Sequence, residues 1–182
     1  MVLTPIALRG RPANDVIILF YDTVPVTLGI PRETFPGERR VAITPRRCDA
    51  LAKIGIGVIV ESSAGTEAGF PDQTYVARGA RIATRAEVFQ SADIIAQVRC
   101  LGANPNAGQA DLPLLRRGQI LIGFGEPLNS AKESLMLAEA GVSFFALELV
   151  PRITRAQNMD ALSSMATFAG YEAVLMLSLI HI

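Results

Sequence analysis

Val26-Thr-Leu-Gly-Ile-Pro-Arg-Glu-Thr-Phe-Pro-Gly-Glu-Arg-Arg-Val-Ala-Ile-Thr-Pro45 runs from a short apolar stretch, through a charged loop, to a Thr-Pro pair suited to opening a helix. Thr44 fits the N-cap and Pro45 the first helical position, where a missing N–H costs nothing. The same order, apolar run and then amphipathic stretch, repeats down the chain. That repetition predicts βα units feeding a parallel sheet.

Five strands are expected, at Val26–Ile30, Val58–Glu61, Ile94–Val98, Ile120–Gly123 and Val142–Leu147. Each is nearly continuous in apolar residues, as strands buried on both faces should be. Helix starts are marked by Thr44-Pro45 and by two capping boxes, Thr84 with Glu87 and Ser130 with Glu133. Gly79, Gly118 and Gly141 each precede a strand, where a left-handed helix end favours a residue without Cβ. The fold class predicted is a three-layer α/β domain with a mostly parallel, flavodoxin-like sheet.

The chain has 182 residues, half of them hydrophobic, enough for one sizeable core. Seventeen basic residues balance seventeen acidic ones, so no summed field favours nucleic acid. Two cysteines, Cys48 and Cys100, make no disulfide framework and point to a reducing compartment. Cys48, on an amphipathic helix, reads as a small core residue. No cluster with metal-ligand spacing is present, so no metal site is expected. The run Val16–Tyr21 is far short of the roughly 20 residues that span a bilayer.

The chain divides into a leader or early start over 1–25, an α/β domain over 26–150, a loop with the start of a long helix over 151–176, and a tail, 177–182, that reads as non-native. Residues 1–25 hold Pro5, Pro12 and Pro25 and no sustained period. The apolar stretch from Ala173 to Ile182 ends without a cap and reads as cut. The sole histidine, His181, lies in it. Gly55-Ile-Gly57 starts like a dinucleotide fingerprint, but Val60 takes the third glycine position and the pair precedes a strand; it is rejected as a phosphate loop.

Arg32, Arg39, Arg40 and Arg46 cluster after the first strand, near the sheet edge where open α/β folds place their ligands. They fit an anion site; they fit equally a solvated loop paired with Glu33 and Glu38, which for any one arginine is the commoner outcome. The segment from Gly29 to Pro45, read as G-I-P-R-E followed by E-x-R-V-A-x-T-P, resembles the opening of the alanine dehydrogenase and transhydrogenase alpha-subunit superfamily. The resemblance places Arg40 near a cofactor cleft.

Pro151-Arg-Ile-Thr-Arg-Ala-Gln-Asn-Met-Asp-Ala-Leu-Ser-Ser-Met-Ala-Thr-Phe-Ala-Gly-Tyr171 resembles a more specific transhydrogenase segment. The resemblance implies that Arg152, Gln157, Asp160 and Ser163 lie over a bound nicotinamide, with Arg152, Gln157 and Asp160 in the catalytic group and Arg40 as a further cofactor contact. Guanidinium, amide and hydroxyl groups suit the orienting of a carboxamide and ribose, and Asp160 can hold Arg152 or a ribose hydroxyl. Residue by residue, Asp160 also reads as a plain helix N-cap and Ser163 as a first-turn residue.

As a transhydrogenase, the intact protein would pass hydride from NADH to NADP, coupled to proton translocation. The resemblance further implies NAD on this subunit, NADP on a partner subunit, a membrane domain, a homodimer, and a peripheral place at the cytoplasmic membrane face. The helix entered at Ala161 would lead to a Rossmann domain missing here, without which activity should be negligible. Alanine dehydrogenase, the runner-up, carries a lysine and a histidine where this chain has Arg99 and Glu126. A non-catalytic module binding an anion or partner through Arg32, Arg40 and Arg152 is the third reading. Gly125-Glu-Pro127 keeps the transhydrogenase pattern, whereas Cys100-Leu-Gly-Ala103 departs from it.

Overall fold

The computed structural model describes residues 26–180; the leader expected over 1–25, and His181 with Ile182, lie outside the described residues. Six strands form one sheet: β1 (Thr27–Ile30), β2 (Gly57–Glu61), β3 (Arg81–Ala83), β4 (Ile94–Arg99), β5 (Ile120–Phe124) and β6 (Ser143–Ala146). All neighbouring pairs are parallel and the order is β3-β2-β1-β4-β5-β6. Without β3, the five strands expected from the sequence stand in the flavodoxin-like order. β3 adds one short strand outside β2. With three residues, an exposed Arg81 and a single large apolar side chain, Ile82, it has no pattern to read.

Four helices connect the strands: α1 (Pro45–Lys53), α2 (Asp72–Val76), α3 (Arg85–Ser91) and α4 (Ala131–Glu139). Val58 and Val60 pack with Ile30, Cys48 of α1 and Tyr75 of α2, whereas Ile59 joins Ile95, Leu121, Phe89 of α3 and Leu137 of α4. Successive strand residues thus feed opposite faces, which gives the three layers. Each buried aromatic or branched side chain contributes about 1.5–3 kcal/mol. At β6, alternation returns: Phe145 is 59% exposed, so this edge strand is not buried on both faces as expected.

The caps are mixed. Thr84 and Glu87 form the full capping box, and Thr44 precedes Pro45 in extended conformation. Ser130 does not cap α4: its hydroxyl donates to the carbonyl of Gly102 at 3.2 Å, so the second capping box is not formed. Gly79, Gly118 and Gly141 adopt φ of 79, 82 and 73°, the left-handed turns foreseen.

Two close approaches set the sheet's geometry. A Cβ on Gly29 would meet Ala92 Cβ at 2.7 Å and Val88 Cγ1 at 2.9 Å, because α3 lies directly on β1. A Cβ on Gly102 would overlap the carbonyl oxygen of Gly125, so the segment after β4 touches the turn after β5 backbone to backbone.

Beyond β6 the chain makes 3-10 turns at Leu147–Leu149 and Thr154–Met159, then enters α5 (Ala161–Ile180). α5 is 20 residues long and apolar enough to cross a membrane by length and composition, with none of it buried. Core helices of soluble proteins meet the same test.

Candidate functional site

The C-terminal ends of β1, β4, β5 and β6 converge with the start of α5, where an open α/β sheet offers its ligand crevice. The loop after β1 is held there by its own acids. Glu33 reaches across to β4, its oxygens accepting the N–H groups of Val98 at 2.6 Å and Arg99 at 3.1 Å. Burial raises the Glu33 carboxyl above its ordinary range despite these bonds. Glu38 accepts from Arg40 Nε and Nη2 at 2.7 and 2.6 Å and from Arg99 Nε at 3.1 Å. The Arg40 hydrogen bond foremost draws Glu38 down to about 2. The Arg99 guanidinium also stacks on Phe35, 4.2 Å from the ring centre.

Deeper in, Arg85 forks onto Asp111, Nε to Oδ1 and Nη2 to Oδ2, both at 2.7 Å, and gives Nη1 to Glu61 at 2.7 Å and to the Arg32 carbonyl at 2.9 Å. This fixes the first residues after β1 to α3 and to the stretch after β4. Past β5, Glu148 Oε1 accepts the N–H groups of Gly125, at 2.8 Å, and Glu126. Glu126 holds a left-handed φ of 47°. Glu33 and Glu148 thus do the same task at two strand ends: each takes two consecutive N–H groups just before a charged side chain at the crevice.

The predicted site residues fall into two adjoining hollows. Arg152, Gln157, Asp160 and Ser163 come together around one of about 280 Å³, with Ile153 and Thr154. Arg40 lies apart, in a cavity of about 410 Å³ that it shares with Arg99, Phe124, Glu126, Leu162 and Met165. Its Nη1 approaches Met165 Sδ at 3.9 Å. Of the other loop arginines, Arg39 stands 3.9 Å from Glu67, both well exposed and so contributing little. Arg46 lies elsewhere, beside Phe70 and Arg78.

In the first hollow Asp160 is buried, 8% exposed. Its Oδ1 accepts the Ser163 N–H at 3.0 Å and its Oδ2 the Ser163 hydroxyl at 2.6 Å. Asp160 thus caps the start of α5, and these bonds, more than the nearby Arg152 charge, lower its carboxyl below the usual range. Arg152, Gln157 and Ser163 are exposed. Neither the Arg152 nor the Gln157 side chain has a hydrogen-bond partner among the described residues, so both are free to meet a ligand.

Glu148 and the Arg85–Asp111 pair were not singled out from the sequence. An acid inside Leu147-Glu-Leu-Val150 was the available signal, since a carboxylate in an apolar run needs donors. Asp111 sits in an irregular stretch and gave none. The thiols of Cys48 and Cys100 are buried, and burial pushes both upward in pKa, as inert core residues require.

A family model described as alanine dehydrogenase/PNT, N-terminal domain matches residues 29–169. The chain belongs to this family. Among relatives, the NAD(P) transhydrogenase subunit alpha of Cereibacter sphaeroides is 45% identical over 149 residues, which cover 81% of this chain and 27% of that protein. The crystal structure of transhydrogenase from Sinorhizobium meliloti matches with a TM-score of 0.75 and 40% identity, over 82% of this chain and 43% of that one. A structure of L-alanine dehydrogenase matches less closely, with a TM-score of 0.62 and 27% identity, over 69% of this chain and 33% of that one. The family resemblance seen in the two motifs is thereby borne out, with transhydrogenases nearer than alanine dehydrogenase. The chain spans about a quarter of the length of the Cereibacter protein.

Proposed function

We propose that the chain is the N-terminal part of an NAD(P) transhydrogenase alpha subunit, and that Arg152, Gln157, Asp160 and Ser163 position the nicotinamide of NAD(H). The observation that carries this reading is the hollow itself: an exposed guanidinium, amide and hydroxyl around a buried, helix-capping carboxylate. This donor set fits a nicotinamide carboxamide and a ribose. When bound, the nicotinamide supplies the hydride chemistry; the chain's residues orient it. Asp160 fixes the first turn of α5 and, by its charge, the neighbourhood of Arg152. Gln157, with donor and acceptor on one group, matches a carboxamide edge. Ser163, tied to Asp160 through its hydroxyl hydrogen, keeps its oxygen as an acceptor.

Direct hydride transfer between two nicotinamide rings needs positioning rather than a proton carrier. The described residues include no histidine, the usual proton carrier near neutral pH, which suits this reaction better than amination. In the intact assembly NADP would sit on a partner subunit, coupled through a membrane domain to proton entry. The alpha component would be a homodimer at the cytoplasmic membrane face. The 182 residues alone would be inactive, because the hollow is far too small for a whole dinucleotide.

The test is hydride exchange from NADH to an oxidised NADP analogue, in a chain extended to the length of its relatives and supplied with the partner subunit. Arg152→Ala and Gln157→Ala should each lower the rate by at least about tenfold, equivalent to losing one charge-assisted or oriented hydrogen bond. NADH binding, followed by fluorescence, should weaken in parallel. Unchanged rates in both variants, or turnover of pyruvate, ammonia and NADH without any NADP requirement, would sink the reading.

A further inference from the structure

Glu126 holds a backbone conformation that its own sequence disfavours. Its φ of 47° is left-handed, and Pro127 follows it. A residue with a Cβ populates that region sparsely, and the position before a proline is pushed towards extended backbone instead. The turn is therefore held by its surroundings. On one side the Glu126 carbonyl accepts the N–H groups of Asn129 and Ser130, both at 2.9 Å. On the other, Glu148 Oε1 accepts the N–H of Gly125, at 2.8 Å, and that of Glu126.

Glu148 sits at a joint. The turn that carries it, Leu147–Leu149, packs against both β5 and α5. Arg152 follows four positions later, and Asp160 and Ser163 belong to the start of α5. Among the described residues Glu148 has no Lys or Arg partner at ion-pair distance, and its Oε2 is shielded from solvent without a hydrogen-bond partner. The two N–H groups at Oε1 thus orient the carboxylate, and the carboxylate orients the turn. A shielded carboxylate oxygen without a donor costs the fold stability. What the residue supplies is spacing, with the end of β5 held at a fixed distance from the segment that leads to Arg152. We propose that Glu148 is a positioning residue for hydride transfer, the link that sets the hollow of Arg152, Gln157, Asp160 and Ser163 against the turn after β5. The inference rests on the transhydrogenase reading. Glu148 acts through the main chain of Gly125 and Glu126, not by touching the nicotinamide.

Three variants, made in a chain extended to the length of its relatives and supplied with the partner subunit, separate reach from charge. Glu148→Gln keeps the length and an acceptor oxygen, Glu148→Asp keeps the charge but falls short by one methylene, and Glu148→Ala removes both. At saturating NADH and well below each thermal midpoint, the alanine variant should lose at least about tenfold in kcat and the aspartate variant roughly threefold or more, while the glutamine variant stays within about threefold of wild type. The KM for NADH should move by less than about threefold in all three, since the link sets alignment rather than affinity. Hydrogen exchange at Gly125 and Glu126 should quicken in the alanine and aspartate variants and not in the glutamine variant.

A merely structural role would lower the folded fraction and leave kcat per folded molecule unchanged, and that result would overturn the proposal. A loss confined to KM would overturn it too. So would an aspartate variant as fast as wild type beside a slow glutamine variant, since charge and not reach would then matter. If Glu148→Ala does not fold, the glutamine and aspartate variants decide the question between them. A wild type that exchanges no hydride would remove the transhydrogenase reading and this role with it, whereas a wild type that does, with all three variants equally fast, would remove this role alone.

Discussion

Glu38 and Arg40 are joined by two near-parallel hydrogen bonds, 2.7 and 2.6 Å, and the same Glu38 carboxylate also holds Arg99 from the end of β4. One acid, 5% exposed in its side chain, thus ties the loop after β1 to the neighbouring strand.

The pH dependence follows from that pair. Folding lowers the Glu38 carboxyl from 4.5 to about 2, so its contribution is fully present above pH 4.5 and is lost as pH falls towards 2. Urea unfolding of the wild type and of Glu38→Gln should show a stability gap that is largest at neutral pH and closes across that window. A gap independent of pH would mean that the pair is not what lowers the carboxyl.

Gly29 is a packing position, not a turn. Gly29→Ala would press a methyl group against Ala92, Ile95 and Val88 at 2.7–2.9 Å. It should destabilise the fold by about 1–3 kcal/mol, the usual range for overpacking, seen as a lower thermal midpoint. A neutral result would show that α3 can slide on β1.

Arg85 neutralises two acids at once, and its side chain and that of Asp111 are 22% and 8% exposed. Arg85→Met strands both Glu61 and Asp111, and a loss of about 3 kcal/mol is expected by chemical denaturation. The double variant with Asp111→Leu should recover part of it, since the stranded charge is then gone.

Asp160 serves the fold whether or not it serves a ligand. Asp160→Ala should lower stability and raise hydrogen exchange at Ser163 and Ser164, the signature of a lost N-cap. Asp160→Asn should keep the cap. Hydride exchange lost in the asparagine variant of an extended chain, with the cap intact, would assign the charge itself a part in positioning.

The sheet was legible because β1, β2 and β4 carry nearly continuous apolar runs, as strands buried on two faces do. β3 was not, since three residues with one large apolar side chain have no periodicity. Thr84 and Ser130 were indistinguishable as capping residues by spacing; only the nearness of Gly102 turns the Ser130 hydroxyl away. The hollow of Arg152, Gln157, Asp160 and Ser163 was legible because its residues lie within twelve positions of one another. That Arg40 belongs to a different cavity was not, since it depends on which face of α5 presents Met165 and which presents Ser163. The alternative readings of Arg40, as paired with Glu38, and of Asp160, as an N-cap, both describe what these residues do in the fold.

The backbone contact between Gly102 and Gly125 fixes a dimension that side chains cannot change. Where two loops meet without room for a methyl group, the width of the crevice is set by main chain, and the lining residues are left to vary in charge and shape within constant dimensions. Arginine or lysine after β4, and glutamate or histidine after β5, can then be exchanged without remodelling the scaffold. A single architecture is thereby open to very different small-molecule chemistries, with the contact between the two glycines as its fixed dimension.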